Sequence, residues 1–229
     1  MPGVFVTAIG TDVGKTYVAC ALIGAARRLG CAVEAYKPLV TGLVLDDPAV
    51  CEASDSGRLL AALGRPVSAE RIAAISPWCF RDPVSPDLAA QREGRTLDVS
   101  RIADFTRAAV ERTPQALVIV EGIGGVLVPL GGKDTIADVI AATALPAILV
   151  SATYLGAFSH TLSALESLRA RNIPLLAVAL SESEESGSSL ADARAVIGRY
   201  VRAPIVPFAR DDFAATERAA QELLGYALA

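Results

Sequence analysis

The chain has 229 residues, a formal net charge of −4, 52% apolar and 20% charged residues, and one histidine. That length and apolar share suit one large α/β domain with a sizeable core, and the acidic balance without a basic cluster argues against a dedicated nucleic-acid protein. Mean hydropathy is +0.44, yet polar residues or Pro and Gly break every apolar run, Ala141 to Phe158 included, so no membrane span is expected.

Val4-Phe5-Val6-Thr7 reads as a first buried strand. The turn Ala8-Ile9-Gly10-Thr11-Asp12-Val13-Gly14 follows, and Lys15-Thr16 opens a helix to about Leu29, where Gly30 stops it. Strand, glycine-bearing turn and helix in that order form a phosphate cradle. Loop and helix N–H groups converge on one spot, and the helix dipole adds partial positive charge there. Lys15 would reach the outer phosphates, the Thr16 hydroxyl would ligate Mg²⁺, and Gly14 would let backbone approach closely. The general pattern places its first glycine at Ile9; here Gly10 comes one residue late.

A second strand spans about Ala32 to Lys37 and ends in Tyr36-Lys37-Pro38-Leu39-Val40-Thr41-Gly42. Ligands of open α/β sheets bind beyond the carboxyl ends of strands, so Lys37 and Thr41 share an edge with the cradle. A polar loop with Asp46, Asp47 and Glu52 leads to Ser54-Asp55 and a helix ending at Gly64. Asp55 reads either as a helix-start acid or as a metal ligand. Ile72 to Phe80 reads as extended. Pro83-Val84-Ser85-Pro86 forms a rigid loop before a short helix, and Asp98 caps the next one.

Leu117 to Val120 is a buried strand run ending in Glu121, the layout of a metal-site carboxylate behind a phosphate loop. Gly122-Ile123-Gly124-Gly125 suggests backbone packed close to a neighbour, such as a nucleotide. Asp138 sits in a short helix, and Ala147 to Val150 forms another strand. Tyr154-Leu155-Gly156-Ala157-Phe158-Ser159 leads into a helix whose N-terminus would suit a carboxylate. His160 reads as a buried, hydrogen-bonded structural residue. Pro174 to Leu180 is a strand, Ser181 to Ser189 a solvated loop, and Leu190 to Ile197 a helix. Ala203 to Val206 is the last strand, Pro207 to Asp211 its turn, and residues 213–228 the closing helix. Strands and helices alternate, which predicts a three-layer α/β fold of the P-loop NTPase type: a mostly parallel sheet with helices on both faces, one domain over 1–229. The four cysteines lie far apart with no metal-type spacing, which fits small buried side chains in a reducing, cytoplasmic compartment. The N-terminus carries no basic region before its apolar run, as a signal peptide would.

With these motifs in order, the chain resembles the dethiobiotin synthetases, ATP-dependent enzymes of biotin synthesis. Phe5 to Thr16 aligns with that family's Phe-Val-Thr-Gly-Thr-x-Thr-x-Val-Gly-Lys-Thr without a gap. Tyr36 to Gly42, Ser54-Asp55, Pro83 to Asp87 with Glu93-Gly94, Val120 to Gly125 and Leu155 to His160 match its further motifs. The likeness covers nearly the whole chain and is weakest beyond Leu180.

The resemblance implies ATP- and Mg²⁺-dependent carboxylation and ring closure of 7,8-diaminopelargonate with CO₂. Lys15 and Lys37 would be catalytic, and Thr16, Asp55 and Glu121 would hold Mg²⁺. Asp12, Val13, Gly14, Lys15, Thr16 and Tyr17, with Glu121, Gly122, Ile123 and Gly124, would wrap the phosphates. Thr41 would contact the diamine. Pro207, Phe208, Ala209 and Asp211 would lie near the adenine. The family's homodimer would bring Leu155, Gly156, Ala157, Phe158 and Ser159 of one protomer to the substrate tail held by the other. The chain departs from the pattern at Ala8, Ile9, Asp87 and Ser159, and the adenine-reading Asn falls at Ser181 or Glu182. Two rival readings stay open. One is a partition-type ATPase switch, whose second loop lysine would stand at Gly10. The other is a non-catalytic binding module on the same fold.

Overall fold

A computed structural model describes residues 3–229. In chain order the elements are β1 (Gly3–Ala8), α1 (Lys15–Arg28), β2 (Val33–Tyr36), β3 (Leu39–Val40), α2 (Pro48–Ala53), α3 (Asp55–Ala62), α4 (Ala69–Ile75), β4 (Trp78–Cys79), α5 (Pro86–Arg92) and α6 (Val99–Arg112). There follow β5 (Leu117–Glu121), β6 (Pro129–Gly131), β7 (Asp134–Thr135), α7 (Ile136–Thr143), β8 (Ala147–Ala152), α8 (Ala157–Ala170), β9 (Leu175–Ser181), α9 (Leu190–Ile197), β10 (Ile205–Phe208) and α10 (Phe213–Leu228).

Six strands form one parallel sheet in the order β10-β9-β8-β1-β5-β2. β1, β5 and β8 are buried along their whole length, as central strands covered on both faces must be. Alternate residues of β1 serve opposite layers. Val4, Val6 and Ala8 pack with α1, α3 and α10, whereas Phe5 packs with residues of α6, α7 and α8. α9 adds a small cluster of its own against Val178 and Leu180 of β9. The fold is therefore the three-layer α/β arrangement that the alternating pattern predicts.

Register sets the functional edge. Val6 lies opposite Glu121 and Tyr36 opposite Val120. The loop after β1, the acid ending β5 and the lysine just past β2 therefore emerge side by side.

Several local expectations fail. Of the stretch Ile72 to Phe80, Trp78–Cys79 is strand, but residues 72–75 belong to α4: Ser68 accepts a hydrogen bond from Arg71 N, and Ile72 and Ile75 bury one helical face. The acidic stretch before Ser54 holds α2, capped by Asp47 with Pro48 in its first turn. Pro207 and Phe208 belong to β10 rather than to the turn after it. His160 is exposed, with Nδ1 2.7 Å from the Tyr154 hydroxyl. Of the four free cysteines only Cys51 is buried; Cys20, Cys31 and Cys79 are half-buried. No helix among the described residues is long and apolar enough to cross a membrane.

Candidate active site

The loop between β1 and α1 turns on two left-handed residues, Asp12 (φ 56°) and Gly14 (φ 98°). Gly14 caps α1, and a Cβ there would stand 2.7 Å from Ser181 Oγ. Both its torsion and its neighbour require glycine. Ala8 and Ile9 occupy glycine and threonine positions of the related motif without strain, because Ala8 is still strand and neither residue has a positive φ. The glycine run after Glu121 packs on this loop, not only toward a ligand. A Cβ on Gly125 would meet the Ile9 carbonyl group at 3.1 Å.

Behind the loop lies a cluster of charges. Glu121 is fully buried and Lys37 is 2% exposed. Lys37 Nζ donates to Glu121 Oε1 at 2.6 Å and to the Gly122 carbonyl at 3.1 Å, and lies 3.0 Å from Asp55 Oδ2. Thr16 Oγ1 donates to the same Glu121 oxygen at 2.7 Å. Glu121 Oε2 is buried without a hydrogen-bond partner. Lys15 Nζ curls back to the Gly10 carbonyl at 2.9 Å.

Each ammonium is tuned by its surroundings. Burial, helped by the like charge of Lys37, pushes Lys15 down to about 8 against the pull of Glu121, Asp55 and Asp12. Burial also opposes charge on Lys37, but the Glu121 and Asp55 carboxylates outweigh it, so Lys37 is held above its ordinary value. Asp55 is raised by burial and lowered more strongly by Lys37, so it stays ionised below the usual carboxylate range.

Two clefts flank the loop. One of about 610 Å³ is lined by Lys15, Thr16, Lys37, Thr41 and Asp55, with Pro83 to Pro86 as a wall. Asp12, Gly14, Tyr17, Ile123 and Gly124 also reach it. Asp87, where the related motif has His, accepts a hydrogen bond from Ser85 of that wall. The second cleft, about 770 Å³, is lined by Val13, Ser181, Glu182, Phe208, Ala209 and Asp211. Pro207 is half-buried just outside it. The segment 181–189 is a solvated loop except for Ser181, which ends β9, and it is tethered at its start: Ser183 N donates to Thr153 Oγ1 at 2.9 Å, and Thr153 N donates to Ser183 Oγ at 3.1 Å. Leu155 to Ser159 line neither cleft, and Leu155 is 92% exposed. Sequence reasoning passed over Arg58, which lines both clefts. Its signal was its place one helical turn after Asp55.

A family model described as an AAA domain matches residues 2–210. A dethiobiotin synthetase of Phenylobacterium zucineum, named ATP-dependent, is 45% identical over 79% of this chain and 76% of its own. The Methylobacterium nodulans enzyme of the same name is 40% identical over 92% of this chain and 94% of its own. This chain belongs to the ATP-dependent dethiobiotin synthetase family. Membership makes it an ATP-dependent ligase. Among solved structures, MinD of Aquifex aeolicus in its MinC complex superposes with TM-score 0.57 at 13% identity, covering all of this chain and 95% of that one. The receptor FtsY of Elizabethkingia anophelis gives 0.51 at 13% identity, and the chain spans 64% of its length. At that identity these two attest the P-loop fold alone.

Proposed function

We propose that this dethiobiotin synthetase family member joins 7,8-diaminopelargonate and CO₂ with ATP to give dethiobiotin, ADP and phosphate, as one domain over 1–229. The observation that carries the reading is the buried Lys37 facing Glu121 and Asp55 beside Lys15. A partition-type switch would carry its second lysine within the loop, where this chain has Gly10; a second ammonium placed instead at Lys37, just past β2 and at the outer-phosphate end, suits a reaction that gathers negative charge there.

One substrate amine adds to CO₂, forming an N–C bond and losing a proton, to give a carbamate. A carbamate oxygen attacks the γ-phosphorus, the bond to ADP breaks, and a carbamic–phosphoric mixed anhydride results. The second amine attacks the carbamate carbon, forming the second N–C bond and losing a proton. The C–O bond to phosphate breaks, phosphate leaves and the cyclic urea closes. The residues position these groups and neutralise them. Lys15 and Lys37 would face the transferred phosphoryl group, and Thr41 would hold the diamine in the first cleft.

The oxygen donors fit Mg²⁺. Thr16, Asp55 and Glu121 offer a hydroxyl and two carboxylates, and the unpartnered Glu121 Oε2 leaves acceptor capacity in the right place. Bound there, the ion would neutralise triphosphate charge. Asp12 to Tyr17 and Glu121 to Gly124 would wrap the phosphates. The base would occupy the second cleft near Pro207 to Ala209 and Asp211. Because Leu155 to Ser159 lie outside both clefts, with Leu155, Gly156 and Ser159 exposed and Ala157 buried, their contact with substrate would be made across a homodimer, on the partner's ligand. Four free cysteines support a reducing, cytoplasmic setting.

Phosphate release is the test, measured from MgATP and bicarbonate with and without the diamine, on wild type and Lys37→Ala. Diamine-dependent release, lost in the variant, is expected. Diamine-independent release would replace the synthetase with a switch, and no release with ATP, CTP or GTP would leave a binding module.

A further inference from the structure

The two clefts share few residues. Thr11, Asp12, Gly14 and Tyr17 line both, and all four belong to the phosphate loop or the start of α1. Arg58 of α3 also lines both. It is the one basic side chain at the junction, and the one shared lining residue supplied from outside the loop–α1 segment. Its guanidinium has no hydrogen-bond or ion-pair partner among the described residues. Arg210, the other arginine that lines the second cleft, is engaged: it pairs with Glu184 at 3.0 Å.

The position of the junction says what such a group would meet. Lys15, Thr16 and Lys37 serve the first cleft only, where the outer phosphates belong. Phe208, Ala209 and Asp211 serve the second only. What spans from one to the other in a nucleotide is the inner phosphate and the ribose. A guanidinium presents a planar fork of donors that matches the oxygens of a phosphate. Asp55, one turn earlier on the same helix, is already neutralised by Lys37, so Arg58 is not consumed in balancing it.

We infer that Arg58 is a nucleotide-binding residue of this enzyme, holding the inner, α-phosphate from α3. This rests on the nucleotide reading of the two clefts. It assigns to α3 two tasks one turn apart: Asp55 at the outer end of the triphosphate and Arg58 at its inner end. Since the α-phosphate is chemically unchanged in the reaction, Arg58 binds ATP and ADP alike and contributes to affinity rather than to the bond-making steps.

Equilibrium binding of MgATP, ADP and adenosine to wild type, Arg58→Ala and Arg58→Lys tests this. Arg58→Ala is expected to weaken ATP and ADP by a similar factor, roughly 10-fold, the low end for a charge-assisted hydrogen bond at a half-open site. Adenosine binding is expected to be unchanged, and Arg58→Lys to recover part of the loss. KM for ATP should rise with kcat held within about twofold. Unfolding midpoints of the variants should match wild type, because the side chain has no partner to lose. Equal ATP and ADP affinity in wild type and Arg58→Ala would overturn the inference while leaving the synthetase reading intact. A loss that extends equally to adenosine would overturn the phosphate assignment. Wild type that binds no nucleotide would overturn both readings together.

Discussion

Glu121 and Asp138 are both carboxylates bound by a cation, and they are completed to different degrees. Asp138 Oδ2 accepts from Thr135 N at 2.8 Å and Thr135 Oγ1 at 2.6 Å, and Oδ1 accepts from Arg171 Nε at 2.8 Å. That set closes a capping box on α7 and leaves neither oxygen idle. Glu121 is more deeply buried, yet both its donors crowd onto Oε1 and Oε2 has none. Burying a carboxylate oxygen unpartnered costs stability. The first cluster is arranged to hold a helix in place; the second keeps unspent bonding capacity at the edge where the phosphate loop opens.

The sharpest test removes Lys37. Lys37→Ala would strand the buried Glu121 charge, costing about 3 kcal/mol in denaturant unfolding, and would lower diamine-dependent phosphate release by at least roughly 100-fold. The double variant Lys37→Met, Glu121→Gln should regain most of that stability while activity stays lost, because both charges go together. Recovery of activity as well would mean that the cluster is structural, like the one at Asp138.

Gly14→Ala comes next. With φ at 98° and Ser181 Oγ in the way, it should cost about 2 kcal/mol and weaken nucleotide binding by roughly 10-fold or more. Gly30 is also left-handed, at φ 71°, but has open space around it. Gly30→Ala should cost about 1 kcal/mol and leave nucleotide affinity alone. Calorimetric titration with ADP separates the two.

Asp138→Asn should cost about 1 kcal/mol with activity retained, the size of a half-exposed cap and ion pair together. The smallest effect is its pH dependence. The hydrogen bond from Arg171, aided by Thr135 against the opposing effect of burial, holds the Asp138 carboxyl down to about 2, from 3.8. Its folded value is depressed, so its stabilisation is complete above about pH 4 and fades as pH falls through about 2. The stability gap between wild type and Asp138→Asn should shrink across that window. A gap that is constant from pH 5 to pH 2 would show that the ion pair contributes nothing.

The central strands were legible because apolar runs such as Leu117 to Val120 are buried on both faces, and that pattern survives any neighbour. α2 and α4 were not, since six or seven residues give too few turns for a periodic signal, although Asp47-Pro48 and Ser68 do carry capping signals. At the site, residue types at strand ends pointed to Lys37 and Glu121 separately. That they share one oxygen contact follows from β2–β5 register, which no local pattern contains. Arg58 escaped because an exposed arginine on an amphipathic helix has the same sequence signature as any solvated one. His160 misled through its position near a helix start, where a lone histidine says little about burial.

The order of strands in the sheet also governs the order of events during synthesis. β1 leaves the ribosome first among the strands, yet its partners are β5, from residue 117, and β8, from residue 147. Val4, Phe5 and Val6 therefore have no sheet neighbour until more than half the chain has emerged. Such remote pairing is slow and leaves apolar chain uncovered in the interval. A nascent chain stalled before residue 117 would hold the phosphate loop's sequence without the strand against which that loop takes shape.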